Sequence, residues 1–174
     1  MYLDRYRDTY NFDHSPGDQQ LAYYAYRQIY EVLDMINNII HNIPDAKGGT
    51  QAEKDHVMGE AKVLRALCHF DACRLFAQRY AHTSNAQHLG VVIVRKSPDV
   101  FDQPERATVY DSYKFIVQDL QEAIELLEST PEQDKSEYWI DATAAKALLA
   151  RVYLYKEDWN NAIDMATQVI EDNN

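Results

Sequence analysis

Residues 59–76, Gly-Glu-Ala-Lys-Val-Leu-Arg-Ala-Leu-Cys-His-Phe-Asp-Ala-Cys-Arg-Leu-Phe, read as a helix that is apolar on more than one face. Val57, Ala61, Leu64, Cys68, Leu75 and Phe76 follow one helical spacing, and Ala66, Phe70 and Cys73 supply a second side. Such a helix cannot lie on a surface with one face in water. It needs neighbours on both sides, so it belongs in a stack of helices.

The rest of the chain supplies those neighbours. Ser15-Pro16-Gly17 punctuates after a lead-in over 1–13 that could be a short helix or an ordered stretch. A long helix is expected over about 19–42, with Ala22, Ala25, Ile29, Leu33, Ile36 and Ile40 as one stripe and Tyr23, Tyr26 and Tyr30 as another. Pro44 ends it, and Gly48-Gly49 makes the turn. Thr50-x-x-Glu53 has the form of a capping box and opens the Gly59 helix, expected to run to about Tyr80. Residues 81–90 are polar and loop-like. Val91-Val92-Ile93-Val94 is a short extended apolar run, and Ser97–Arg106, with two prolines, is loop. Thr108-x-x-Asp111 opens a helix over about 109–128, with Val109, Tyr113, Ile116, Leu120, Ala123 and Leu127 in a stripe. Asp141 caps a helix through about Lys156, and Trp159 to about Glu171 is its antiparallel mate.

Only five glycines and five prolines leave little turn chemistry for a many-stranded sheet, so the expected fold class is all-α. The last helix pair has repeat character. Leu149-Ala150, Tyr153, Trp159, Ala162 and Ala166 follow a tetratricopeptide rhythm of large knobs and small holes, whose period is roughly 34 residues. Tyr153 and Trp159 are expected to pack near Ala162 and Ala166. The earlier helices are longer, which makes the whole a tetratricopeptide-like array with insertions and 1–174 a single domain.

The net charge of −11 opposes nucleic-acid backbones and anionic lipid surfaces but is indifferent to a neutral ligand such as a carbohydrate. Acidity also keeps a protein soluble, which is the plainer reading. Cys68 and Cys73 lie five residues apart on a helix and point about 140° apart, so they are read as small core residues rather than a disulfide. Met1–Arg7 lacks the apolar run of a signal peptide, and no stretch approaches the ~18 apolar residues of a membrane span. Glu171-Asp172-Asn173-Asn174 follows an apolar helix closely, so the chain is expected to be part of a longer one.

The residues that could carry chemistry do not assemble in sequence. His14, His41, His56, His69, His82 and His88 are scattered, with no His-x-x-x-His or Cys-x-x-Cys spacing for zinc. His56 with Glu53 and Glu60 could share a helix face, and a solvated face is the expectation there. Glu31 with Asp34, and Asp119 with Glu122, read as exposed carboxylate pairs rather than as a glycosidase pair across a cleft. There is no phosphate loop or nucleophile elbow. No catalytic, cofactor-binding or metal-binding residue is expected, and no cofactor. Tyr23, Tyr26, Tyr30, Tyr110, Tyr113, Tyr153 and Tyr155 stand at core spacing and read as core. Phe101, Tyr138 and Trp139 stand in loops and are the aromatics best placed to meet a ligand. Arg65 and Glu60 are read as structural, the Arg65 guanidinium reaching a carboxylate or carbonyls of a neighbouring helix.

The wording of several segments resembles the SusD/RagB family. Gly59-Glu60-Ala61-x-x-Leu64-Arg65-Ala66 with His69-Phe70 and Leu75-Phe76 is the strongest match. Tyr30-x-x-Leu33-x-x-Ile36-Asn37-x-Ile39-Ile40 is similar to the family's first long helix, with Tyr26 where Trp is usual. Gly90-Val91-Val92-Ile93-Val94 is similar to its Gly-x-Pro-Leu-Val run, with Val92 in place of Pro. Arg106-Ala107-Thr108-Val109 through Leu126-Leu127, then Ala145 to Tyr155 with Trp159 and Ala162, complete the order. The resemblance spans about Ala25 to the C-terminus. It implies a non-catalytic glycan-capture lipoprotein of the outer membrane and cell surface, built on tetratricopeptide-like helices, with a TonB-dependent transporter as partner and an oligosaccharide or polysaccharide as ligand. It also implies that much of the glycan pocket lies outside this segment, so the glycan-binding residues are unknown and the segment alone is expected to bind sugars weakly or not at all. A lipobox is not seen. The alternative is a tetratricopeptide-like adaptor that holds a peptide or partner protein.

Overall fold

The structure, a computed structural model, describes residues 10–11, 20–97, 102–129 and 139–172. Among the described residues five long helices follow one another: α1 (Gln20–Asn42), α2 (Gln51–Phe76), α3 (Val109–Ser129), α4 (Ala142–Tyr155) and α5 (Trp159–Asp172). Each packs chiefly on its neighbours in sequence, α1 on α2, α2 on α3, α3 on α4 and α4 on α5, which makes an all-α array. The expected lead-in over 1–13 lies almost wholly outside the described residues.

Local chemistry sets the helix starts. The Thr50 hydroxyl accepts from the Glu53 amide while the Glu53 carboxylate accepts from the Thr50 amide, the expected capping box. The Thr108 hydroxyl accepts from the Asp111 amide at 3.0 Å, and the Asp141 carboxylate accepts from the Ala144 amide at 2.6 Å. α2 stops at Phe76, short of the expected Tyr80. Ala77 turns to an extended conformation, and the freed Phe76 carbonyl accepts from the Arg106 guanidinium at 3.2 Å. Tyr80–His82 and Ser84–Ala86 are separate 3-10 turns.

The core runs between α2, α3 and α4. Phe70 is fully buried there, edge-on to Tyr113 at 6.1 Å and to Tyr155 at 5.1 Å between ring centroids. Val63, Ala66, Ile116, Leu120, Leu149 and Val152 complete the same cluster. On the other side of α2, α1 contributes Leu33, Ile36 and Asn37 as its buried residues. α2 therefore has helices on two sides, as its composition requires. α4 and α5 are antiparallel: Lys146 near the start of α4 donates to Asp172 at the end of α5 at 2.9 Å, and to Glu128 of α3 at 2.8 Å.

Several expected core positions lie elsewhere. Leu64 and Leu75 of α2 are exposed, as are Tyr23, Tyr26, Tyr110 and Tyr155, whereas Tyr113 and Tyr153 are buried as expected. The helix pair also departs from the knob-and-hole expectation. Ala162 and Met165 face the core, and Trp159 is 56% exposed with Ala166 also exposed. At about 100° per residue, Trp159, Ile163, Ala166 and Ile170 form a stripe on a different side of α5 from Ala162 and Met165. Among the described residues α5 packs chiefly on α4, and Trp159 and Ile163 remain more than half exposed.

The α2–α3 approach depends on Gly59. A Cβ there would stand 2.8 Å from Leu127 Cγ and 3.4 Å from the Ala123 carbonyl. Gly59→Val should lower stability by about 1–3 kcal/mol through overpacking, read as a fall in the urea midpoint. An unchanged midpoint would mean that α2 and α3 are not this close.

Candidate functional site

The densest concentration of polar side chains inside the protein is centred on Arg65. Its Nε and Nη2 donate to the two Asp119 carboxylate oxygens at 2.7 and 2.8 Å, a bidentate pair between α2 and α3. Its Nη1 donates to Asn37 Oδ1 of α1 at 3.0 Å and to the Arg95 carbonyl at 3.4 Å. All three side chains are buried. The expectation that Arg65 meets a neighbouring helix is met; the expectation that Asp119 lies on an exposed face is not. An ionised Asp119 is tolerated there because the fork of Arg65 neutralises it and Lys62 Nζ stands 3.8 Å away. Glu122 is half-buried and pairs with Lys62 at 2.5 Å, which holds its carboxyl below the usual range. Glu60 is structural too, its carboxylate accepting from the Ile140 amide at 3.0 Å.

Around this pair runs an extended segment, residues 90–95, laid across α1 and α2. It forms no strand; a single bridge joins Leu89 to Thr108. Backbone bonds to Ala107 hold its start, the Gly90 amide donating to the Ala107 carbonyl at 2.7 Å and the Ala107 amide to the Val91 carbonyl at 2.9 Å, and side chains bond much of the remainder. Tyr30 donates its hydroxyl to the Val92 carbonyl at 3.0 Å, and Asn37 its amide to the Val94 carbonyl at 3.0 Å. The Val94 amide donates to His69 Nε2 at 3.1 Å, and Arg106 Nε donates to the Gly90 carbonyl at 2.7 Å. Because His69 Nε2 accepts, its Nδ1 carries the proton and donates to the Arg65 carbonyl at 2.9 Å. Burial holds this imidazole neutral, with its pKa lowered to about 4. Gly90 is required where the segment crosses α3, since a Cβ would lie 2.5 Å from Ser112 Oγ.

The cysteines behave as core residues. Cys73 is buried and Cys68 half-buried, both as free thiols, and burial pushes them up to about 12 and about 11. His56 Nε2 stands 4.0 Å from Glu60, and no group of three or more metal-ligating side chains occurs among the described residues. Trp139 is 53% exposed and lies 5.7 Å from the His56 ring, so one of the three loop aromatics is available to solvent. Phe101 and Tyr138 lie outside the described residues. Sequence reasoning missed Asn37, Tyr30 and His69 as the side chains that hold residues 90–95, and missed the surface cavity beside Tyr110. Tyr110 falls at core spacing in α3, which hid its exposure.

The geometry is that of a helical array with a hydrogen-bonded buried polar centre and several aromatics on its outside. Comparison with known proteins says of which kind. Residues 1–154 match the SusD-like family described as starch-binding and associating with the outer membrane. A SusD-like protein of Bacteroides ovatus is 27% identical over 141 residues, 79% of this chain and 23% of the relative. A SusD superfamily structure from Bacteroides thetaiotaomicron is 32% identical with a TM-score of 0.82, covering 97% of this chain and 36% of that one. A putative sugar binding protein from Bacteroides vulgatus is 28% identical with a TM-score of 0.81, covering 98% and 37%. The chain belongs to the SusD-like family, and it spans well under half the length of these relatives.

Two measurements test the buried centre. Arg65→Met leaves the buried Asp119 with only the more distant Lys62 and should cost about 3–5 kcal/mol, with Arg65→Met/Asp119→Leu recovering most of it. A single variant with an unchanged melting midpoint would remove the role given to Arg65. His69 has a folded pKa below its unfolded value, so the folded state resists its protonation. That stability is full above about pH 6.5 and falls as the pH drops towards 4, by about 3 kcal/mol. His69→Gln should show a shallower loss over that window in urea titrations at stepped pH.

Proposed function

We propose that this chain is the helical scaffold of a longer, cell-surface SusD-like protein that captures glycans without chemical change and passes them to a TonB-dependent outer-membrane transporter. The family match over residues 1–154 carries the reading, and the fold agreement over nearly the whole chain supports it. In this reading the 174 residues are one part of a larger helical domain, and the main glycan pocket draws on loops outside them. The scaffold's task is to hold those loops rigid, which the locked 90–95 segment and the bonded Arg65 centre suit.

Surface chemistry supports a chain that works inside something larger. Trp159, Ile163 and Ala166 present an exposed apolar stripe on α5, Trp159 being 56% and Ile163 65% exposed. α1 carries a second, Leu21, Tyr24, Val32, Met35 and Ile39, on a side turned from its buried residues. In the longer protein, a following helix would cover the α5 stripe. Ile163→Asp should therefore leave the melting midpoint of the 174-residue chain nearly unchanged and lower that of the longer protein by several degrees. Equal effects in both would count against this placement.

Binding tests the function. Calorimetry with a panel of plant and host oligosaccharides should show glycan binding by the longer protein with little salt dependence, and much weaker binding by the 174-residue chain. No binding by the longer protein across the panel would favour a peptide-holding adaptor.

A further inference from the structure

A groove lies where the turns after α2 meet α3 and the α4–α5 turn. It consists of two adjoining cavities of 380 and 520 Å3 that share Tyr80, Tyr110 and Lys156. Both fall within the ~300–1,000 Å3 of small-molecule sites. Lys114, Gln118 and Gln121 of α3 line the first, and residues 81–86 line the second.

The groove is built rather than incidental. Tyr80 is braced edge-on by the buried Tyr113 at 5.2 Å. Lys156 Nζ lies 5.3 Å from the Tyr153 ring and 6.0 Å from the Tyr80 ring. The far wall holds two consecutive non-glycine residues with left-handed backbone, Asn85 at φ 60° and Ala86 at φ 52°, and Ala86 is buried. Asn adopts that conformation readily and Ala only at a cost, which the surrounding contacts offset; such strain gathers at ligand clamps.

Its chemistry is that of a sugar site with a charge preference. Tyr110 is 43% exposed and offers a ring face. Gln118 uses one amide hydrogen on Glu122 and Gln121 one on Tyr153, leaving both amide oxygens for a ligand. Lys114 has no ion pair among the described residues, and Lys156 has only Asp158 at 3.8 Å, beyond hydrogen-bond distance. Two ammonium groups beside one exposed aromatic are notable in a chain of net charge −11.

We propose that this groove is a carbohydrate subsite for an acidic sugar, a uronic-acid residue. Tyr110 stacks on the sugar ring, Gln118 and Gln121 accept from its hydroxyls, and Lys114 and Lys156 hold its carboxylate. The assignment rests on the carbohydrate-capture reading above and adds to it a second, anionic site within the helical segment.

The test is a 15N NMR titration of the 174-residue chain with trigalacturonate, with maltotriose and sodium sulfate as controls. Trigalacturonate should shift the amides around Tyr110, Lys114, Gln118 and Gln121, with a millimolar Kd that weakens in salt. Tyr110→Ala and Lys114→Gln should each weaken it at least tenfold with the remaining spectrum unchanged. Equal shifts with maltotriose would overturn the acidic class, and equal shifts with sulfate would reduce the groove to an attraction for anions. No shift with any probe would overturn the subsite. If the longer protein then still bound other glycans, only the groove would have failed and the family reading would stand.

Discussion

The structure depends on keeping one charge pair dry. Arg65 and Asp119 are both buried, and removing two ions from water costs several kcal/mol each even after relaxation. That cost is offset only when geometry and hydrogen bonding are nearly complete. Here the guanidinium forks onto both carboxylate oxygens and places its remaining nitrogen on Asn37 and the Arg95 carbonyl. These contacts come from α1, α2, α3 and the 90–95 segment. Rotation or sliding of any one of them would strand a charge. The pair therefore fixes how the helices are set against each other, which apolar packing alone does loosely.

The second consequence is a backbone segment that behaves as if it were in a sheet without having one. Buried peptide groups must be paired, and residues 90–95 find their partners in the Ala107 backbone at one end and in the side chains of Tyr30, Asn37, His69 and Arg106 along the rest. Phe115 sits under this arrangement, with the Arg95 guanidinium 4.3 Å and the Arg65 guanidinium 5.2 Å from its ring centre. A segment tied in this way can carry loops at its ends without passing their motion to the core.

Helix existence and order could be read from the sequence because period and caps agree. Thr50, Thr108 and Asp141 start their helices where expected, and the Leu33–Ile36 and Ile116–Leu120 stripes are buried. The role of Arg65 could be read because a charged residue on an apolar helix requires a partner. Its partner could not, since Asp119 and Glu122 look alike as helical carboxylates and only packing distinguishes buried from exposed. The aromatics misled for a related reason. Tyr23, Tyr110 and Trp159 have the spacing of core residues, and period says that positions share a face without saying whether that face is covered. Their exposure is a property of the neighbours present. The cavity at Tyr110 combines residues about seventy positions apart in sequence, which no local pattern reveals.

Residues 90–95 are central because they are locked by hydrogen bonds to Ala107 and to side chains of the helices rather than lying on the surface as a loop. Native-state hydrogen exchange at the Val94 amide, the donor to His69 Nε2, measures this directly. The account expects Val94 to exchange only through global unfolding, with the same denaturant dependence as Phe70 in the middle of α2. Exchange at the rate of an open loop, insensitive to denaturant, would contradict it.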